Sequence, residues 1–543
     1  MWQLLTNWYR KDYVGFVFVF LFFIISFGIM YFATDRFISL DDQFFHIRFT
    51  EIIKERGLDA FRDFKWLYFS KIAQDQSYFE NYHFLFYLTL LPFTAITPLY
   101  LGIKWYAIIF GALAFTGLYY FLRKLGEKYP LIWTVLIFAA VNTRFVLRFI
   151  NARPLTLAPV LLLFILYLLY RKKYLGALFL SLFYFLWHSA TFIFPLVVAG
   201  VYLGINRLTT KRWDWKIFLY PLIGVAGAYT LMALLVPGFF QFMRDITFSV
   251  IYQAIVMGRE NIIEGTELYP ADYFAFVRPN ILFFTLLIIA WGSELYRWWN
   301  RQKQELSVPL TDERSTLRLT LLALTILFLI ATFLVRRNSD YFIFFAGAYL
   351  AMAINQILTG SQILPPQLRP WLVGAAIVVS LFFFTDNLLV ARNQISQARP
   401  HELLAPVADW LKANVPPGQI LFNVSRDDFP TLFYYDQDHY FVTGLETRFL
   451  YDYDPRRYWL WQHISQDGVA CPEATCPETN AQNPTERGQG IAETLLKDFQ
   501  TRFLITNYQF PKLNAVIDQT PNFQQFYGDQ YYAVYLINPT PVK

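Results

Sequence analysis

Long apolar runs separated by short polar or basic stretches fill residues 14–390. Each run is close to the roughly 20 residues that a helix needs to cross a hydrocarbon core. The pattern predicts spans at 14–33, 105–122, 130–147, 156–170, 174–188, 190–205, 217–235, 279–297, 317–335, 341–358 and 371–390, about eleven in all. After residue 390 the pattern changes. Segment 391–543 is polar, punctuated by proline and rich in Tyr, Asp and Gln. The stretches QILFNV, HYFVTG, TRFLIT and YYAVYLI read as strands. The periodicity at 402–414 and 491–499 is helical. The expected fold is therefore a polytopic α-helical membrane domain, 1–390, followed by a mixed α/β domain, 391–543.

Composition agrees with a membrane chain. Of the 543 residues 56% are hydrophobic and only 16% charged, too few charges for a soluble domain of this length. The net charge of +6 resides in loops between spans and calls for no nucleic-acid partner. Basic residues orient the spans. Arg10 and Lys11 place the N-terminus inside, and inside loops follow at Arg123–Lys128, Arg171–Lys173, Arg207–Lys216 and Arg297–Arg314. The first apolar run lacks a small-residue cleavage site and reads as a retained span. The apolar stretch 83–97 would invert every later loop if it crossed. It is short and interrupted by Pro92, so it reads as re-entrant or interfacial. The external face then carries 34–104, 148–155, the region near His188, 236–278, 336–340 and the C-terminal domain. The two cysteines, Cys471 and Cys476, stand in one polar loop as C-x4-C. On an oxidising face they predict a disulfide; two free thiols are the alternative, and without a nearby His in sequence they make a poor zinc site.

Four external segments carry candidate chemistry. The first, DDQFFHIR, places Asp41 and Asp42 before His46 and Arg48. A helix begun near Asp42 puts His46 on the same face. A carboxylate there can cap the helix, act as a base or hold a metal. The second is the long loop 236–278, with Glu264 and Glu267 in GRENIIEGTELYPADYF. The third, RFINARPL, offers Arg148, Asn151 and Arg153 at the end of a span, and the fourth, RRNSD, offers Arg336 and Arg337. External arginine pairs run against the positive-inside bias, and guanidinium forks suit phosphate. Interfacial snorkelling is the alternative for the third segment. His188 lies in an apolar stretch, as a substrate-site residue or a polar contact between helices.

The run D-Q-F-F-H-I-R (42–48), then F-T-E-I-I-K-E-R-G and F-R-D-F-K-W, resembles the first external loop of oligosaccharyltransferase catalytic subunits. Those belong to the C-superfamily of glycosyltransferases (GT-C), which use polyprenyl-phosphate or -diphosphate sugars. The resemblance covers roughly thirty residues in detail and the general plan of the chain. It implies that Asp42 is the acidic site residue and that Glu267 or Glu264 engages the acceptor. It implies too that Arg336 or Arg337 binds lipid-linked phosphate. Two departures matter. No Asp or Glu stands between Glu127 and Asp214, where that family keeps acidic metal ligands in its second external loop. The family's W-W-D-Y-G motif is also absent. In its place, 426–461 is dense in aromatics and carboxylates that suit sugar binding or plain packing.

The reading that results is an integral membrane glycosyltransferase. It would move a sugar or glycan from a polyprenyl-phosphate-linked donor to a glycan, lipid or protein acceptor on the external face. Asp42, Asp41 and Glu267 are the catalytic candidates. His46, Arg48, Arg148, Arg153, His188, Arg336 and Arg337 are the substrate and phosphate candidates. A divalent cation, Mg or Mn, would rest on Asp42 if one is used; no cofactor is the alternative. The expected location is a plasma (inner) membrane with the C-terminal domain external, or the endoplasmic reticulum in a eukaryote. A flippase of lipid-linked glycans is the competing class. Paired halves with broken spans at matched positions, which would favour it, are not evident.

Overall fold

The structure, a computed structural model, describes residues 12–38, 42–61, 63–74, 83–236, 239–240, 243–244, 269–303, 313–359, 365–476 and 483–539. The chain forms two compact units. One comprises 1–38, 82–234 and 267–397; the other comprises 39–81, 235–266 and 398–543. The segment 39–81, read from sequence as a loop of the membrane domain, thus belongs to the same unit as the C-terminal domain.

The first unit is helical. Among the described residues eight helices are long and apolar enough to cross a bilayer, and a bent pair would make nine. The expected spans at 156–170 and 174–188 are the shorter helices Ala158–Tyr170 and Tyr174–Trp187. At about 1.5 Å per residue, 14 residues cover roughly 21 Å, less than a hydrocarbon core of about 30 Å. The stretch 83–97 is likewise short: a helix, Phe84–Leu90, then a 3-10 turn, Leu91–Ala95.

The expected span 130–147 is broken by 114° between Pro130–Ala140 and Thr143–Phe149. A broken helix in an apolar surrounding exposes carbonyls that need partners. Asn387 supplies them. Its side-chain amide donates to the carbonyls of Phe138, Ala139 and Val141 at 3.1–3.2 Å and accepts from the Thr143 hydroxyl at 2.7 Å. Asn142 caps the second piece, accepting from the Arg144 N–H at 2.8 Å. The bend carries Arg148 and the RFINARPL segment. Small residues let neighbouring helices close in: a Cβ on Gly224 would stand 2.3 Å from the Leu178 carbonyl oxygen.

Two polar devices pin the ends of this unit. Lys104, 1% exposed, donates to the carbonyls of Thr34 (2.6 Å) and Tyr31 (3.3 Å) where the first helix ends. The rings of Tyr31, Phe32 and Phe37 surround its ammonium at 4.9–5.8 Å. Glu127, also buried, accepts from Arg314 at 2.5 Å and from Asn355, joining the loop after Leu99–Lys124 to two later helices.

The second unit is a five-stranded sheet with flanking helices. Its strands are β1 (Ile420–Asn423), β2 (Tyr440–Phe441), β3 (Phe503–Asn507), β4 (Phe523–Gly528) and β5 (Tyr532–Ile537), in the order β2-β1-β3-β5-β4. β1 pairs in parallel with β2 and β3; β5 runs antiparallel to β3 and β4. Four of the five were legible as strands in the sequence. The early segment then extends the sheet. Leu67 bridges Phe441 in parallel, with Tyr68 N–H to Phe441 C=O at 3.0 Å and Phe441 N–H to Trp66 C=O at 2.7 Å. This covers an edge strand that would otherwise expose unpaired backbone. Phe69 enters the core beside Phe422, Trp461 and Phe499.

Of the aromatics of 426–461, Phe429, Phe433, Tyr434, Tyr458, Trp459 and Trp461 are buried and pack in the interior, whereas Tyr435, Tyr440, Phe449, Tyr451 and Tyr453 are half-buried.

His439 and Asp436 are both buried, with Nδ1 2.6 Å from the Asp436 carboxylate and Nε2 3.1 Å from the Val415 carbonyl. Burial alone would lower the imidazole pKa, but the Asp436 hydrogen bond and charge and the Val415 carbonyl together raise it. A folded-state pKa raised above the unfolded one gives stability that is complete below the ordinary histidine range. That stability is lost as pH rises through the raised value. Thermal unfolding of the full-length protein in detergent, followed by tryptophan fluorescence, is expected to lose midpoint above neutral pH. The slope should flatten in His439→Gln. Identical slopes in the two proteins would refute the linkage.

Candidate functional site

Three segments far apart in sequence converge within the helical unit. Arg148, on the short helix after the bend, donates to Asp340 with Nε at 3.1 and 3.2 Å and a terminal nitrogen at 2.8 Å. Asp340 is fully buried, 192 residues away in sequence. The RFINARPL segment is also tied to the His188 turn: Trp187 Nε1 donates to the Pro154 carbonyl at 2.6 Å. That turn in turn reaches the RRNSD segment. The Thr191 hydroxyl lies 2.7 Å from the Tyr184 hydroxyl and 3.2 Å from that of Tyr341.

His188 stands at the centre of this convergence. It is fully buried, and neither ring nitrogen has a hydrogen-bond partner among the described residues. Its ring meets the edge of His83 with centroids 5.2 Å apart. The Arg337 charge acts on both His188 and Tyr341. Arg337 and Arg153 are half-buried, and Arg336 is exposed. Segments 148–155 and 336–340, joined by the Arg148–Asp340 pair, carry between them four arginines and one carboxylate, Asp340. Asp340 pairs with Arg148, and Arg153, Arg336 and Arg337 stand on the same two segments. A cluster of this kind can hold a doubly bonded oxyanion such as phosphate.

Asp42 opens the helix Asp42–Arg56 in the other unit and is half-buried. That helix is docked by the residues after it. Phe45 packs on Phe433 and Phe429, with centroids 5.2 and 6.1 Å apart, and Phe44 stacks on His401 at 6.0 Å. Arg48 donates Nε–H to the Tyr434 carbonyl at 2.8 Å, pairs with Glu51 and lies 4.8 Å from the Tyr434 ring centre. Its fork is spent on holding the helix Asp42–Arg56 to the helix Phe429–Tyr435, which makes it a positioning residue. His46 is buried against Phe45. Asp41, Glu264 and Glu267 lie outside the described residues.

The described residues do not assemble a divalent-cation cage on Asp42, since hard cations want several oxygen ligands. Their one candidate group of three metal-ligating side chains is His463, Cys471 and Cys476. The two cysteines are joined in a disulfide, with S–S 2.01 Å, and so lack the thiolates that zinc needs.

Sequence reasoning missed Asp340, Tyr184, Thr191, Tyr341 and His83. Asp340 stood in plain view in RRNSD, but its partner is 192 positions away.

Together these features give a fold that two solved structures share. ArnT from Cupriavidus metallidurans, solved bound to undecaprenyl phosphate, superposes with a TM-score of 0.55 at 10% identity. The match covers 95% of this chain and 97% of that one. The apo state of the same protein gives a TM-score of 0.52 at 10% identity, covering 98% of each chain. At that identity the likeness is one of fold. No protein-family model and no curated protein sequence matches the chain.

Proposed function

We propose that this protein is an integral membrane glycosyltransferase that takes a sugar or glycan from a polyprenyl-phosphate-linked donor. The observation that carries the proposal is the Arg148–Asp340 pair in the helical unit, which joins two segments that carry four arginines and one carboxylate. Guanidinium groups at the ends of apolar helices suit a lipid-linked phosphate by charge and by their planar fork. The ArnT fold, solved with undecaprenyl phosphate on that protein, supports the same ligand class. Arg153, Arg336 and Arg337 bind the phosphate and stabilise the charge that develops on it as the sugar leaves. The Arg148–Asp340 pair fixes the two segments that carry them.

Asp42 is proposed, on its sequence resemblance, as the base that takes the acceptor's proton. Glu267 is proposed to orient the acceptor. Arg48 holds the Asp42 helix through Tyr434 and Glu51. Membrane vesicles supplied with radiolabelled polyprenyl-phosphate sugars should show label transfer that falls roughly 100-fold or more in Asp42→Asn. Full transfer by that variant would remove Asp42 from catalysis. Lipid movement without transfer from any donor would replace the enzyme reading with the flippase.

A further inference from the structure

We infer that the C-terminal unit carries a glycan-binding platform built on Tyr508 and Tyr531, at the end of the sheet where β3 stops and β5 starts. The inference rests on the glycosyltransferase reading for the class of ligand, a neutral glycan chain, but its geometry stands alone.

Nearly every aromatic of this unit is buried or half-buried. Among the described residues of its segment 398–543 the large apolar side chains that stay exposed are three: Tyr508 (61%), Phe526 (48%) and Tyr531 (37%). Two of them adjoin. The Tyr508 and Tyr531 rings have centroids 6.4 Å apart with planes inclined at 49°, and both side chains are open to solvent.

The surface is held firmly from behind. Asn507 and Tyr532, the neighbours of the two tyrosines, pair across β3 and β5. Both hydrogen-bond the buried Asp428: Tyr532 Oη–H at 3.0 Å and Asn507 Nδ2–H at 3.2 Å. Asp529 accepts from the backbone N–H of Tyr531 and Tyr532 at 2.7 and 2.8 Å and from the Tyr527 hydroxyl at 2.7 Å. Exposed aromatics on a rigid support lose little side-chain entropy when a ligand stacks on them.

The surroundings select a sugar over a lipid. Gln509, Asp529 and Gln530 are exposed beside the rings and offer amide and carboxylate groups that match hydroxyls. Segments 507–511 and 528–532 contain no Lys or Arg, whereas a membrane-binding aromatic patch recruits anionic headgroups with basic residues. A pyranose face presents C–H groups to the electron-rich ring face and hydroxyls to such a rim.

The test uses the full-length protein in nanodiscs and fluorescently labelled neutral hexasaccharides of glucose, mannose, galactose and N-acetylglucosamine. At least one probe is expected to bind, and the double variant Tyr508→Ala/Tyr531→Ala should bind it at least about tenfold more weakly. Tyr508→Phe/Tyr531→Phe, which keeps the rings, should retain most of the affinity. Absence of binding by every probe, or equal affinity in the alanine variant, overturns the platform. So does a finding that the alanine variant loses only its adsorption to phosphatidylglycerol vesicles. Tyrosine-dependent binding in a protein that transfers no sugar would uphold the platform while refuting the enzyme.

Discussion

Asp340→Ala is expected to destabilise the helical unit by about 3–5 kcal/mol, the cost of leaving one member of a buried ion pair alone. Asp340 is fully buried, whereas Arg148 is 28% exposed along its side chain. Removing the carboxylate strands a guanidinium that made three contacts within 3.2 Å. Removing the arginine instead strands the more deeply buried partner, so Arg148→Ala should be at least as damaging. The double variant Arg148→Met/Asp340→Leu offers the control. With neither charge left to desolvate, it should recover most of the lost stability, because apolar replacement of a whole buried pair is often close to neutral. Thermal midpoints in detergent for the four proteins give the double-mutant cycle. If Asp340→Ala unfolds with the wild type, the pair contributes nothing, and its place in the site falls with it. The rescued double variant should nonetheless transfer sugar poorly, because the pair's second role is to fix the RFINARPL segment against RRNSD.

The apolar runs made the helical unit legible because a bilayer imposes length and composition directly on sequence. What they could not reveal was how each run is used. The run at 130–147 is continuous in hydropathy, yet its bend depends on Asn387, almost 250 residues later. Strand propensity announced β1, β2, β3 and β5. β4, FQQFYG, exposes most of its residues at a sheet edge and carries little apolar signal. The placement of 39–81 was hidden for a related reason. Its pairing with the C-terminal unit spans about 370 residues, as Trp66 to Gln437 shows, and loop sequences do not encode distant partners. The arginines were legible as unusual for the external side that the charge pattern predicts for them. Which of them would be neutralised was not, because Asp340 and Arg148 meet only in three dimensions.

Arg337→Ala should lower sugar transfer roughly 100- to 1,000-fold, the loss expected when one preorganised group facing developing charge is removed. Arg337 is singled out by its setting. It is half-buried, and its charge acts on the buried His188 and Tyr341, whereas Arg336 is exposed. A charge sheltered from water interacts more strongly with phosphate than one at the surface, so Arg336→Ala should cost less. Arg337→Lys keeps the charge but loses the planar fork, and should fall between wild type and alanine. Because Arg337 is half-buried whereas Asp340 is fully buried, thermal stability should change less than in Asp340→Ala. Activity and stability therefore separate the two residues. Transfer rates at saturating polyprenyl-phosphate sugar, set beside the midpoints, give the comparison. Were Arg337→Ala to retain transfer within threefold of wild type, the phosphate would have to be held elsewhere, and Arg153 would become the residue to test.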